Sequence, residues 1–255
     1  MWQAERFSRI RALLAKYSRV SMDRIIADLA VSRETVRRDL LELEALGELK
    51  RVHGGAVRVQ AEAPIAERAN TRIKYKRAIA KAAATLIESG QTLFLDAGST
   101  TAVLAEELAM LSGLTIITNS FDVALNIQRA SDESRGNQVF LLGGALGARL
   151  PATFGDATIA ELHRYRADVA LLSPVGVDIS YGATSYDRQE AEIARAMVNN
   201  AAHTFILADY SKIGLCSRIS YCSVGQIDNL ITNKKAEENS VLSDLQSQLS
   251  LVTLV

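Results

Sequence analysis

Two cysteines, three prolines and a single tryptophan in 255 residues leave several kinds of protein without material. Cys216 and Cys222 lie close together late in the chain, too few for a disulfide scaffold or a four-ligand zinc site. They read as two reduced thiols of a cytoplasmic protein, and no metal or cofactor is expected. Few prolines and only 15 glycines argue against a low-complexity or disordered chain. The longest apolar runs, such as residues 82–87, are far too short to span a bilayer, so no membrane partner is expected. Residues 1–11 mix charges and lack an apolar stretch, so no signal peptide is expected there.

Net charge is also missing. Lys plus Arg and Asp plus Glu each number 29. A zero total argues against a nucleic-acid partner only if the charge is spread evenly, and here it is not. Residues 1–60 hold 12 basic and 8 acidic side chains, a net of +4, and the remaining residues carry −4. The chain is a basic head on an acidic body. Hydrophobic residues make up 48% and charged residues 23%, the mix of a globular protein with a real core, and the length suits one large domain or two ordinary ones.

In the head, Phe7, Ile10, Leu13, Leu14 and Tyr17 recur at helical spacing and predict a helix over residues 5–17. Ser21 is placed to cap a second short helix carrying Met22, Ile25, Ile26 and Leu29. Ser32 caps a third, with Glu34 in its first turn, a buried stripe of Val36, Leu40 and Leu43, and a stop at Gly47. Residues 48–60 alternate loosely around His53-Gly54-Gly55, which reads as a hairpin. This is the layout of a winged helix-turn-helix. Arg37 and Arg38 then project near the start of the third helix, where a recognition helix meets base edges and phosphates. Arginine suits the task because its planar fork can bridge guanine O6 and N7 or clamp a phosphate. Ser32 and Thr35 offer hydroxyls to backbone phosphates, and His53 and Gly54 sit at the wing tip, where a bare backbone can approach DNA. A plainer reading makes the arginines a solvated helix face; the order of elements and the local charge weigh against it. Asp39 is expected to orient an arginine.

The run Ser32-Arg33-Glu34-Thr35-Val36-Arg37-Arg38-Asp39-Leu40, then Leu46-Gly47, then Arg51-Val52-His53-Gly54-Gly55-Ala56, resembles the helix-turn-helix of the DeoR family of bacterial regulators. By that resemblance Ser32, Arg33, Thr35, Arg37, Arg38, His53 and Gly54 form the expected DNA-binding set.

Residues 61–75 read as a polar linker and the start of a second domain, which occupies residues 76–255. Residues 73–87 look helical, with Lys76, Arg77 and Lys81 on the open side. Beyond them, short apolar strands alternate with helices, which predicts an α/β domain built on a mostly parallel sheet flanked by helices. Ligands of such sheets bind where strands end and helices begin. Those places hold Asp96-Ala97-Gly98-Ser99-Thr100-Thr101, Asn119-Ser120, Gly143-Gly144 and Lys212. The first follows a strand and opens a helix, so its amides and hydroxyls can cradle an anion. No Gly-Lys-Ser/Thr follows, which disfavours triphosphate hydrolysis and favours a single phosphate or carboxylate. Plainer readings are an ordinary helix cap and a surface lysine.

This half also resembles the DeoR family, in the pieces just named and in Gly155-Asp156-Ala157, Gly176-Val177-Asp178 and Ala208-Asp209-Tyr210-Ser211-Lys212. The resemblance implies a sensor domain similar to the fold of ribose-5-phosphate isomerase and the coenzyme A transferases. It further implies an effector that is a phosphorylated sugar, polyol or sugar acid, with Asp96, Ser99, Thr100, Asn119 and Lys212 carried over by position as its ligands. Ile213-Gly214 and the segment 172–176 depart from the family pattern, so the effector's identity stays open. The expectation is a regulator, most naturally a repressor of a carbohydrate catabolic operon, bound to double-stranded operator DNA. A +4 head is weak for one copy on DNA, so a homo-oligomer, dimer or tetramer, is expected. The competing expectation is a sugar-phosphate isomerase with an appended head, in which Lys212 with Asp96 or Glu190 moves a proton.

Overall fold

The computed structural model describes residues 2–17, 19–52, 54–58, 64–130 and 132–255. The head runs α1 (Gln3–Tyr17), β1 (Arg19–Ser21), α2 (Met22–Leu29), α3 (Arg33–Ala45), β2 (Leu49–Val52) and β3 (Gly55–Arg58). The apolar stripes foreseen from the spacing meet in one cluster, in which Ile10, Ile25, Val36, Leu40 and Leu43 are fully buried. Ser21 Oγ accepts from Arg24 N, and Ser32 Oγ accepts from Thr35 N, each at 3.2 Å, so both caps are made. Between them the chain turns at Ala30, held left-handed at φ 52. The stretch after α1 is more than a break: β1 joins the wing, giving an antiparallel sheet in the order β1-β3-β2. Gly55 is required where β3 crosses β1, because a Cβ there would lie 2.2 Å from the Val20 carbonyl oxygen. Asp39 does hold an arginine, but it is Arg6 of α1, through a forked pair at 2.5 and 2.8 Å that ties α1 to α3.

The segment read as a polar linker contains a helix, α4 (Ile65–Asn70), followed by α5 (Ile73–Ala84). The body continues with β4 (Thr92–Leu95), α6 (Ser99–Leu108), β5 (Thr115–Thr118), α7 (Phe121–Ala130), β6 (Gln138–Leu141), β7 (Ala145–Leu146), β8 (Thr153–Phe154) and α8 (Asp156–Leu162). Then come β9 (Ala167–Leu172), β10 (Gly176–Asp178), β11 (Gly182–Ser185), α9 (Arg188–Asn199), β12 (Ala201–Leu207), β13 (Ile219–Cys222), β14 (Asn229–Thr232), α10 (Ser240–Gln248) and β15 (Val252–Leu254). Seven strands form one sheet, β15-β14-β12-β9-β4-β5-β6, and all of its pairings are parallel. Alternate residues point to opposite layers. Leu93, Leu95, Val169 and Leu171 pack with α5, α6 and α7, while Phe94, Ala170 and Leu172 pack with α8, α9 and α10. Burial on both faces explains why these strands are continuous apolar runs in the sequence.

A small antiparallel sheet, β10-β11-β13, lies outside this pattern. Its strands carry polar residues that no α/β alternation foresees, and three-stranded pairing satisfies their backbone.

Candidate functional site

Two regions carry chemistry. On the head, α3 buries Val36, Asp39, Leu40 and Leu43 and leaves Arg33, Glu34, Arg37 and Arg38 exposed. Arg37 stands 3.9 Å from Glu34 and Arg33 stands 3.1 Å from Asp23, both pairs in the open, where such contacts contribute little and can be exchanged for a phosphate. Arg38 is exposed and, among the described residues, faces no acidic partner within ion-pair range. Ser32 and Thr35 hydroxyls lie 2.8 Å apart at the same end of α3. Gly54 is an exposed turn residue at φ +79. His53 lies outside the described residues. The remaining basic side chains of the head are partly spent on structure: Arg6 on Asp39, Arg11 on Glu48 and Arg51 on Glu44.

In the body, a small cavity opens at the C-terminal ends of β4, β5 and β9. Asp96, Asn119, Ser173, Ser185, Glu190 and Arg68 supply its polar lining, and Phe154, Val175 and Tyr221 part of its apolar wall. Asp96 follows β4; its Oδ2 accepts from Ser173 N at 2.9 Å. Its Oδ1 is buried and, like Asn119 Oδ1 and Thr100 Oγ1, has no hydrogen-bond partner within the described protein. Burial pushes the Asp96 carboxyl up to about 7, against the opposing pull of the Ser173 amide, Thr101 and the Lys212 ammonium, with Glu190 adding to the rise. Buried polar atoms left unmatched at the mouth of a parallel sheet are where a hydroxylated ligand can gain most, because their desolvation has already occurred.

The positive groups gather beside this cavity. Lys76, expected on the open side of its helix, is instead buried: its Nζ donates to Ser99 Oγ at 2.9 Å and to the Arg68 carbonyl. Its place in an alanine-rich stripe hid this, because helical spacing does not reveal that α4 folds over that face. Lys212 Nζ donates to the Pro174 carbonyl, next to the cavity wall. A second small recess shares Arg68 and Glu190 with the first and adds Arg149, Tyr186 and Asp187.

The expected effector residues therefore divide. Asp96 and Asn119 line the cavity, and Ser99, Thr100 and Lys212 lie behind or beside it. Gly98 and Thr101 shape the turn: Thr101 Oγ1 accepts from Gly98 N at 3.0 Å and bonds the Asp96 carbonyl at 2.9 Å. Ser120 starts α7, its Oγ accepting from Val123 N at 3.3 Å. Gly143 and Gly144 pack against α8. Thr158 Oγ1 donates to the Gly143 carbonyl at 2.7 Å, and a Cβ on Gly144 would lie 2.0 Å from that hydroxyl. Neither glycine is among the cavity's lining residues. Arg68, Ser173 and Ser185 were missed, since each reaches the cavity from an element whose position only the packed sheet determines.

Against known families, residues 6–62 match the DeoR-like helix-turn-helix domain and residues 71–234 the DeoR C terminal sensor domain. The chain is 32% identical over 258 residues to the HTH-type transcriptional repressor GlcR of Bacillus subtilis, covering 100% of this chain and 97% of that one. It is 31% identical over 255 residues to the glycerol-3-phosphate regulon repressor of Escherichia coli, covering 98% and 100%. It is 36% identical over 233 residues to a lactose phosphotransferase system repressor of Staphylococcus epidermidis, covering 90% and 91%. Among solved structures it is similar to ribose 5-phosphate isomerase A of Methanocaldococcus jannaschii, at a TM-score of 0.40 and 18% identity over 56% of this chain and 55% of that one.

Proposed function

Since the chain belongs to the DeoR family of DNA-binding transcriptional regulators, we propose that it represses a carbohydrate catabolic operon and is released by a phosphorylated sugar, polyol or sugar acid. The observation that carries the DNA half is α3: capped by Ser32, locked to the core by Val36, Leu40 and Leu43, and presenting Arg33, Arg37 and Arg38 on one open face. Affinity comes from phosphate contacts by these basic groups and specificity from the start of α3. The effector half rests on the cavity, where hydroxyls meet Asp96, Asn119, Ser173 and Ser185 while Lys76, Lys212 and Arg68 supply positive charge nearby. The effector must prefer the protein conformation that fits the operator poorly, because a ligand indifferent to the two states shifts nothing.

The deciding experiment is an anisotropy titration on the promoter beside the gene at two salt concentrations. Arg37→Ala and Arg38→Ala should each weaken operator binding by about 1–3 kcal/mol with the body still folded. Wild-type affinity in both variants would remove them from the reading role. Thermal-shift measurements with glucose 6-phosphate, fructose 1-phosphate and glycerol 3-phosphate then narrow the effector, as a ligand of the native state raises apparent stability.

A carboxyl poised near neutrality in the cavity also fits the isomerase reading. Aldose–ketose interconversion of pentose or hexose phosphates that is lost in Lys212→Ala would favour it.

A further inference from the structure

The motif Gly176-Val177-Asp178 lies outside the DNA-reading helix and does not line the cavity. It forms one strand of the β10–β11 hairpin, and the tip of that hairpin meets the head. Asp178 is fully buried although it is a carboxylate on a hairpin tip. Its Oδ2 accepts from Arg19 Nη1 at 3.1 Å, and its Oδ1 from Ser180 N at 2.8 Å. Arg19 opens β1 of the head. Three residues on, the Tyr181 hydroxyl donates to the Arg51 carbonyl of wing strand β2 at 2.8 Å, and Lys50 Nζ stands 5.5 Å from the Tyr181 ring centre. A buried carboxylate is tolerated only with charge and hydrogen-bond partners, and the principal charge partner here comes from the other domain. The contact is therefore specific: removing Arg19 would strand Asp178.

The base of the same hairpin belongs to the cavity. Val175 and Ser185 line it, and Ser185 Oγ donates to Glu190 Oε2 at 3.1 Å. Gly214 N donates to the Val177 carbonyl at 2.8 Å, which fastens β10 to the turn that carries Lys212. One short element thus has its base in the ligand cavity and its tip against the DNA-binding head.

We propose that the tip of the β10–β11 hairpin is the docking surface for this chain's own DNA-binding head, and that the head docked there is the form with low operator affinity. Docking engages Arg19 with Asp178 and places Lys50 over Tyr181, so two positive groups of the head are withdrawn from DNA phosphates. Freeing Arg19 returns a charge that can displace a counterion. A ligand that bridges the Lys212 turn and Ser185 favours the docked hairpin, which links occupancy of the cavity to loss of the operator. This rests on the regulator reading above; the docking itself can be tested without DNA.

The test uses full-length Asp178→Asn and Tyr181→Phe. Asparagine keeps an acceptor for Ser180 N and loses the charge, and phenylalanine keeps the ring and loses one hydrogen bond. Hydrogen exchange of the free proteins is measured at amides 19–21 and 49–52, with 92–95 and 169–172 as body controls. Exchange should quicken at the head amides in both variants and stay unchanged in the body. On operator DNA, Asp178→Asn should bind roughly 5-fold or more tightly, with a log K against log salt slope steeper by about one. Unaltered exchange in both variants would overturn the docking surface. Faster exchange accompanied by weaker operator binding would overturn the assignment of the docked form as the low-affinity one. A wild-type protein that binds no operator would remove the regulator reading, and the exchange result would still decide the docking.

Discussion

Replacing Asp96 by Asn isolates the least comfortable group in the body. Its carboxyl ionises at about 7 in the folded protein and near 3.8 when free of its surroundings, because burial disfavours the charged form more than Lys212 and the Ser173 amide favour it. The folded state therefore holds a proton that the unfolded state has already released at pH 5. Stability is highest below the unfolded value and falls as the pH rises through the folded one. Taken between pH 5 and pH 9, a shift of this size removes about 3 kcal/mol, which for a body of this length is a fall of roughly 6–12 °C in melting temperature. Asparagine has the shape of the protonated acid and does not titrate. Asp96→Asn should already be the more stable protein by roughly 1–2 kcal/mol at pH 5, and by about 4 kcal/mol at pH 9. The measurement is thermal unfolding of both proteins at pH 5, 7 and 9 in the absence of sugar phosphates. Parallel pH dependence in the two would show that Asp96 is ionised throughout, and the account of an unmatched buried carboxyl at the cavity would be wrong.

Four further outcomes follow from particular contacts. Lys76→Met should keep the fold but lose the thermal shift given by whichever of the three sugar phosphates stabilises the wild type most, since Lys76 Nζ reaches Ser99 at the start of α6; an undiminished shift would count against a positive group there. Ala30→Gly should stabilise the head by about 0.5–1 kcal/mol in denaturant unfolding, because Ala30 sits at φ 52, where a Cβ is strained. Gly55→Ala should cost more than about 3 kcal/mol and abolish operator binding, as the new Cβ collides with the Val20 carbonyl in β1; near-wild-type unfolding would contradict the close strand crossing. Cys216 and Cys222 are buried, and burial pushes both thiols up to about 12, so iodoacetamide at pH 8 should leave both unmodified in the native protein and alkylate both in urea.

The helices and the hairpin of the head were legible from local signals, and β1 was not, because a three-residue strand is defined only by its pairing with β3. The helices are short, their caps and apolar stripes are local, and the hydrogen bonds of Ser21 and Ser32 fall where the spacing put them. The body was legible as an alternation of strand and helix, because strands buried on both faces must be apolar throughout. Family motifs found Asp96 and Asn119 of the cavity, but they also brought in Ser120, Gly143 and Gly144, whose small polar character serves helix starts and close packing. A strand-end motif shows that a turn is tight without showing which way its groups face.

The amino-acid sequence alone determined the basic head and acidic body, the capped α3 with its open arginines, and the parallel α/β layering. Each depends on neighbours within a few residues or on a repeating period. The tertiary structure decided what depends on elements far apart in the chain. It folded α4 over α6 and buried Lys76, turned Arg68, Ser173 and Ser185 into one cavity, and gave Asp39 to Arg6. It also brought Asp178 to Arg19 across 159 positions of sequence. No periodicity encodes such pairs, because each is set by where the packed sheet and its flanking helices leave two distant side chains.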